Sequence, residues 1–102
     1  RNSDCAEDTP FRRDFTAISA CAAQHMVAAG VKLVGVDYLS VAPFKQPGQD
    51  THHILLGAGI LVVEGLRLGK IEAGEYDFIV LPLAVVGADG APCRAFVAVS
   101  AG

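Results

Sequence analysis

The sequence lacks the features that mark nucleic-acid-binding and membrane proteins. Its 102 residues carry 8 Lys and Arg against 11 Asp and Glu, and the net charge is −3. The basic residues form no run, and aromatic residues, 7% of the chain, are not interleaved with them. Because phosphate recognition needs a basic surface, we expect no nucleic-acid partner. Gly57, Gly59, Glu64 and Pro82 interrupt the apolar stretches before any reaches the length of a membrane span, so we expect no membrane partner.

Cysteines are too few and too widely spaced for a disulfide framework or a zinc finger. They are Cys5, Cys21 and Cys93, an odd number with no Cys-x-x-Cys. We interpret them as ordinary thiols in a reducing compartment and expect a cytoplasmic protein. No signal peptide is visible. Because the first residue is Arg1 rather than Met, we expect a fragment or a processed product, from which a targeting segment could have been removed.

Apolar residues are abundant for so short a chain. They make up 52% of it and charged residues 19%, both on the apolar side of typical values. The length leaves room for one domain with a modest core. We therefore expect a partner chain or a missing segment to cover part of the apolar surface. A monomer at high concentration would count against this expectation.

The first regular pattern indicates a helix followed by a strand. Apolar residues recur at helical spacing over residues 15–29 and predict one long helix. Gly30 stands where a left-handed C-terminal cap belongs. The β-branched run at residues 31–36 fits a buried strand. This order of elements is that of an α/β fold.

The rest of the chain alternates short elements with Gly- and Pro-rich connections. Two strands near the end are expected to be antiparallel neighbours, because a hairpin-type turn separates them. The predicted order is a loop at 37–50, a short helix at 51–58, a strand at 60–64, a polar turn at 67–74, a strand at 76–86 interrupted by a proline, a turn at 87–90 and a strand at 92–99.

Glu64 and His52 are the strongest candidates for metal chemistry. A carboxylate at the end of a strand either faces solvent or, if buried, needs a cation or strong donors. His52 lies twelve residues earlier. A helix of about seven residues spans roughly 10 Å and a strand of about five roughly 16 Å, so the chain could bring the two together. Imidazole and carboxylate are common ligands of zinc and other divalent metals, yet a catalytic zinc site needs one or two more. The pattern alone also fits a surface histidine and a solvent-facing carboxylate, which is the simpler interpretation.

Other polar residues have simpler structural interpretations. His25 points about 100° away from its neighbour Met26 on the predicted helix, which favours a solvent or structural role. Asp37 follows a strand, where catalytic residues of α/β folds often lie, but we favour a loop-capping role. Cys93 lies on a predicted core strand with no histidine nearby in sequence. Residues 57–59 (GAG) lack the context of a nucleotide-binding loop and are interpreted as a tight turn.

Several segments resemble the signatures of one enzyme family. They include residues 30–41 (GVKLVGVDYLSV), 52–60 (HHILLGAGI) and 62–66 (VVEGL). The match continues through residues 71–76 (IEAGEY), 81–83 (LPL) and 87–92 (GADGAP). In this order and spacing they resemble the cyclase family of metal-dependent hydrolases, which is similar to kynurenine formamidase and isatin hydrolase.

The resemblance implies a fold and a ligand set. The fold is a swivelling β/β/α domain with a mixed or antiparallel sheet, of which residues 1–102 would be the C-terminal part. The family opens linear or cyclic amides with zinc or manganese, and its members assemble as dimers or tetramers. Its second-half metal ligands, a His and a Glu twelve residues apart, map onto His52 and Glu64 rather than His53. Glu64 would bind metal, and His52 would bind metal or stabilise developing charge, so both are also predicted to be catalytic.

The family's main metal motif, His-x-Gly-Thr-His-x-Asp, has no match in this chain. The resemblance therefore implies an incomplete site that needs the missing first half, and also implies a homo-oligomer or a complex with that half. The function favoured by the resemblance is arylformamidase-like hydrolysis of an N-formylkynurenine-type small molecule. Another amide, a lactam or a lactone is nearly as well supported as the substrate. Two alternatives stay open: a truncated, non-catalytic chain that provides a packing or oligomer interface, and a ligand-binding domain without turnover.

Overall fold

The computed structural model of the chain describes residues 16–43 and 50–98. The chain divides into two compact units, of which the first ends at Ile71 and the second begins at Glu72. Their helices and strands make a mixed α/β architecture, as predicted. The elements are α1 (Ala20–Ala28), β1 (Leu33–Gly35), α2 (Asp50–Gly57), β2 (Leu61–Val63), β3 (Asp77–Pro82) and β4 (Cys93–Ala98).

A glycine cap ends α1 and turns the chain into β1. Gly30 has a φ of 79° and donates its N–H to the Val27 carbonyl at 3.1 Å. The next residue, Val31, donates to the Met26 carbonyl at 3.2 Å. These two bonds form a Schellman motif, in which glycine adopts a left-handed conformation that is unfavourable for other residues. The predicted cap at Gly30 is confirmed.

The second helix ends in the same way. Gly59 has a φ of 78° and donates its N–H to the Leu56 carbonyl at 3.0 Å, and Ile60 donates to the Leu55 carbonyl, also at 3.0 Å. The turn predicted at residues 57–59 is therefore a helix cap that leads into β2. Two successive helix–glycine–strand segments thus make up most of the described residues of the first unit.

The two strands of the first unit pair in parallel. Leu33 lies opposite Leu61, and Gly35 lies opposite Val63. Parallel pairing needs a crossover connection, which the loop after β1 and helix α2 provide. The core draws side chains from both helices, from β1, from the loop that follows β1 and from the residue before β2. Its buried members are Ala23, Val34, Val41, Leu55 and Ile60.

Helix α1 is shorter than the helix predicted over residues 15–29, whose first residue lies outside the described part. It begins after Ser19, whose side-chain oxygen accepts the Ala22 N–H at 3.1 Å. Ile18 therefore precedes the helix, and its N–H donates to the Val41 carbonyl at 2.9 Å. The prediction of one long helix is wrong because the apolar spacing continues across this N-cap.

Both parallel strands are also shorter than the predictions over residues 31–36 and 60–64. Each has three residues. The reason is the same in both cases, because Val31 and Ile60 complete the preceding helix caps before the sheet begins.

The second unit is an antiparallel pair of strands. Asp77 lies opposite Ala98, and Pro82 lies opposite Cys93. The prediction of antiparallel neighbours is confirmed. However, residues 83–92 connect the strands, so the connection is longer than the tight turn that the sequence suggested.

Strand β3 ends earlier than predicted, and Cys93 is not in a core. The predicted strand over residues 76–86 ends at Pro82, which has no N–H to contribute to a ladder. Cys93 is exposed, as is Cys21, while Cys5 lies outside the described residues. The expectation of a core strand fails because none of residues 72–98 is buried.

No helix in the described part of the chain has the length and apolar character needed to cross a membrane.

Candidate metal centre

His52 and Glu64 reach the same place from different elements of the first unit. His52 lies in the first turn of α2 and is half-buried, whereas the next residue, His53, is exposed. Glu64 directly follows β2. The chain turns sharply there because Gly65 adopts a φ of 76° and donates its N–H to the Tyr38 carbonyl at 2.7 Å. This bond links the end of β2 to the loop that follows β1.

The Glu64 carboxylate has two partners on one oxygen. Its Oε2 lies 3.1 Å from His52 Nε2 and accepts the backbone N–H of Val41 at 2.6 Å. Val41 is fully buried, at 0% exposure. The carboxylate is therefore neither simply solvent-facing nor buried without partners. It lies at the surface of the core, and a main-chain donor holds it there.

Electrostatic stabilisation of the fold does not explain this pair. The His52 and Glu64 side chains are 29% and 33% exposed. Exposed ion pairs contribute about 0–1 kcal/mol, because water screens the charges and side-chain ordering opposes the gain. A specific geometry that contributes little to stability is compatible with a functional role.

The atoms that face each other determine how the pair could bind a metal. A carboxylate can only accept, so the contact requires a proton on His52 Nε2. A metal ion coordinated by Nε2 would take the place of that proton and leave Nδ1 as the protonated nitrogen. Glu64 Oε1 would remain available, since the two contacts described both involve Oε2.

The separation of the two side chains fits neighbouring ligands of one metal. Tetrahedral zinc ligands lie about 2.0–2.1 Å from the ion, which places adjacent ligand atoms roughly 3.3 Å apart. The Nε2–Oε2 distance is 3.1 Å. Imidazole nitrogen suits zinc, and carboxylate oxygen suits both zinc and manganese. The donor set therefore fits part of a divalent metal site.

Within residues 16–43 and 50–98, no group of three or more His, Cys, Asp or Glu side chains could hold a metal. A catalytic zinc site has three protein ligands. The pair alone is thus too small to be a catalytic zinc site, in agreement with the absence of the family's main metal motif from the sequence.

The remaining candidates do not join the pair. His25 is exposed on α1, and His53 is exposed on α2. Asp37 is half-buried after β1 and has an interaction of its own. Sequence reasoning missed the Val41 N–H, since a main-chain donor leaves no signal in residue type. It also missed Thr51, whose Oγ1 donates to the Ile18 carbonyl at 2.8 Å.

Sequence comparison finds curated enzymes that resemble this chain, although no family model matches it. The kynurenine formamidase of Bordetella avium is 40% identical over 82 residues, which are 80% of this chain and 39% of that protein. That of Salinibacter ruber is 49% identical over 67 residues, 66% of this chain and 32% of that protein. That of Geobacillus thermodenitrificans is 38% identical over 87 residues, 85% and 42% of the two proteins.

The chain belongs to the kynurenine formamidase-like family. The resemblance that the sequence motifs indicated is thereby confirmed. This member of the family spans less than half the length of the curated relatives it matches.

Two solved structures are also similar to this chain. One, described as a potential metal-dependent hydrolase with cyclase activity, matches with a TM-score of 0.84 and 35% identity, over 94% of this chain and 46% of that one. Another, described as a predicted metal-dependent hydrolase from Bacillus stearothermophilus, has a TM-score of 0.83 and 35% identity, over 94% and 45% of the two chains. The α/β fold of this chain thus matches somewhat less than half of each of these two chains.

Proposed function

We propose that the full-length protein that carries this chain is a metal-dependent hydrolase of amide C–N bonds, with an arylformamidase-like activity. An N-formylkynurenine-type aryl formamide is the proposed substrate. In that reaction, water adds to the formyl carbon and the C–N bond breaks, which releases formate and an aryl amine. The names of the curated relatives support the reaction class and the substrate.

The observation that carries this proposal is the contact between His52 and Glu64. Two side chains twelve positions apart place an imidazole nitrogen 3.1 Å from a carboxylate oxygen. Their spacing is the one that the family resemblance implies for its second-half ligands. We propose that both bind the metal, His52 through Nε2 and Glu64 through its carboxylate.

Zinc or manganese bound at this pair would lower the pKa of a coordinated water and polarise the scissile carbonyl. The chain's own residues have positioning roles. The Val41 N–H holds Glu64 Oε2 at 2.6 Å and so leaves Oε1 to point elsewhere. Helix α2 fixes His52 beside it, where its imidazole either binds the metal or stabilises negative charge that develops on the substrate oxygen.

The rest of the centre is proposed to come from outside the described residues. This chain would be the C-terminal part of a swivelling β/β/α domain, and the first half would supply the remaining ligands and the catalytic acid or base. A homo-oligomer, or a complex with that half, and a cytoplasmic location remain part of the same proposal.

A non-catalytic interface function is the second candidate. The exposed apolar side chains of the second unit, such as Ile79 at 48% and Leu81 at 57% exposure, favour it. The relatives are hydrolases by name, which favours the enzyme. The two candidates differ in whether His52 and Glu64 matter for turnover.

The activity test compares three variants of the full-length protein. Formate release from an aryl formamide should fall by at least about 100-fold in His52→Ala and Glu64→Gln, because each change removes a metal ligand. His53→Ala is the matched control, since His53 is an exposed neighbour on the same helix. Wild-type turnover in both ligand variants would refute the assignment, and no turnover in the wild type would favour the interface function.

A further inference from the structure

A closed ring of contacts connects the metal-binding candidates to a buried hydroxyl. Thr51 Oγ1 donates to the Ile18 carbonyl at 2.8 Å, and the Ile18 N–H donates to the Val41 carbonyl at 2.9 Å. The Val41 N–H donates to Glu64 Oε2 at 2.6 Å, and that oxygen lies 3.1 Å from His52 Nε2. His52 follows Thr51 in α2, which closes the ring.

Thr51 is exceptional among the described residues. It is 2% exposed, and no other polar or charged residue in the described part of the chain is buried. Burying a hydroxyl without a partner is unfavourable, so its bond to Ile18 is required once the side chain is inside. The bond leaves the helix of Thr51 and reaches the residue before the N-cap of α1. The hydroxyl therefore links two segments that lie 33 positions apart.

The residue that donates a hydrogen bond to Glu64 lies outside the strands. Val41 follows β1 but belongs to no strand. Its carbonyl accepts the Ile18 N–H, and its own N–H donates to Glu64 Oε2. The position of the Val41 backbone thus constrains where the Glu64 carboxylate can lie. The Ile18 backbone, which Thr51 contacts, bonds the same residue through the Val41 carbonyl, alongside the bonds between Ser40 and Ala42 in this loop.

We propose that Thr51 is a positioning residue for the His52–Glu64 pair. Its hydroxyl holds the Ile18 carbonyl, and the Ile18 N–H holds Val41 through the Val41 carbonyl. The Val41 N–H then orients Glu64 toward the imidazole of His52, which follows Thr51 in α2. This inference rests on the proposed metal-binding function of the pair. Mutation of residues that orient metal ligands through hydrogen bonds typically weakens metal affinity by about 10–100-fold.

The test uses Thr51→Val, which removes the hydroxyl at nearly constant size, and Thr51→Ser, which keeps it. Affinity of the full-length protein for Mn²⁺ alone is measured by calorimetry under conditions where every variant is folded. We expect Thr51→Val to bind about 10-fold more weakly and Thr51→Ser to bind like the wild type. Ile60→Ala is the control for general destabilisation, because Ile60 is buried in the core but lies outside the ring.

A second measurement does not depend on metal. Amide hydrogen exchange of Val41 in the metal-free protein should accelerate in Thr51→Val more than exchange of the Leu61 amide, which donates to Lys32 within the same unit. Thr51→Ser should leave both unchanged.

The outcomes separate the two proposals. If Thr51→Val and Ile60→Ala weaken Mn²⁺ binding equally, or if Val41 and Leu61 exchange faster by the same factor, Thr51 is only a stability residue and the inference fails. If the wild type binds neither Mn²⁺ nor, in a parallel titration, Zn²⁺, the proposed function fails, while the exchange of Val41 still decides whether Thr51 positions Glu64.

Discussion

Glu64 shows how a surface carboxylate acquires a defined orientation. It follows a three-residue strand, with one third of its side chain exposed, yet one of its oxygens meets a buried main-chain N–H. His52 approaches the same oxygen from α2. At the scale of single residues, the site is thus a side-chain pair oriented by the backbone of the loop at Val41.

This arrangement predicts different stabilities for two substitutions of Glu64. In Glu64→Gln the side chain still accepts the Val41 N–H, so the free energy of unfolding should fall by less than about 1 kcal/mol. In Glu64→Ala the N–H of a buried residue loses its acceptor, and the loss should be about 1–3 kcal/mol. Urea unfolding of the two variants measures the difference. Equal, small losses would mean that the Val41 N–H does not depend on Glu64.

Part of this site was predictable from the sequence. The spacing of His52 and Glu64 allowed a helix and a strand to bring them together, and the family resemblance distinguished His52 from His53. The contributions of Val41 and Thr51 could not be foreseen. One is a backbone donor in a loop, and the other is a threonine whose partner lies far away in the chain, so neither produces a local pattern.

At the scale of elements, two glycine caps organise the first unit. Gly30 and Gly59 both adopt left-handed conformations, and each is followed by a residue that bonds back to its helix. Each cap lets a strand follow its helix closely, and the two strands then pair in parallel. This repetition places His52 at the start of the second helix and Glu64 at the end of the second strand.

We expect alanine at Gly30 or Gly59 to destabilise the fold through its backbone conformation alone. An added Cβ at Gly30 or Gly59 would meet no atom within 4 Å, so Gly30→Ala and Gly59→Ala suffer only the left-handed conformation. We expect each to lower the free energy of unfolding by about 1–2 kcal/mol. Gly57→Ala is the control, since Gly57 also has open space around it but lies within α2. It should be stabilising by up to about 1 kcal/mol. Thermal unfolding that ranks the three variants alike would contradict this account.

The caps were predictable because glycine after an apolar helical pattern has few other uses. The start of α1 was less so, since Ile18 fits the helical spacing but lies before the Ser19 cap and bonds to the loop at Val41. Strand lengths were overestimated for a related reason. Val31 and Ile60 are β-branched, but helix carbonyls engage their N–H groups before the sheet begins.

At the scale of the whole molecule, exposed apolar surface accompanies partial coverage of the relatives. The chain spans less than half of its curated relatives. None of residues 72–98 is buried, and several large apolar side chains on β3 and β4 are exposed. Ile79, which is 48% exposed, pairs with Phe96, which is 41% exposed. Apolar surface of this kind favours association.

We therefore expect the 102-residue chain on its own to self-associate as its concentration rises. Ile79→Thr with Leu81→Thr should weaken the association, because threonine is less apolar, while its β-branched side chain still suits a strand. Leu61→Thr is the control, an exposed leucine on β2 in the other unit. Sedimentation velocity over a concentration series gives the readout. A wild-type chain that stays monomeric throughout would show that this surface needs no partner.

The metal content of the full-length protein decides whether His52 and Glu64 are metal ligands. Zinc and manganese bound per chain are measured after gel filtration for the wild type, His52→Ala, Glu64→Gln and the control His53→Ala. We expect near-stoichiometric metal in the wild type and in His53→Ala. In the other two variants we expect the metal content to fall, because their affinity should be at least about 10-fold weaker. Unchanged metal content and affinity in both His52→Ala and Glu64→Gln would contradict this expectation.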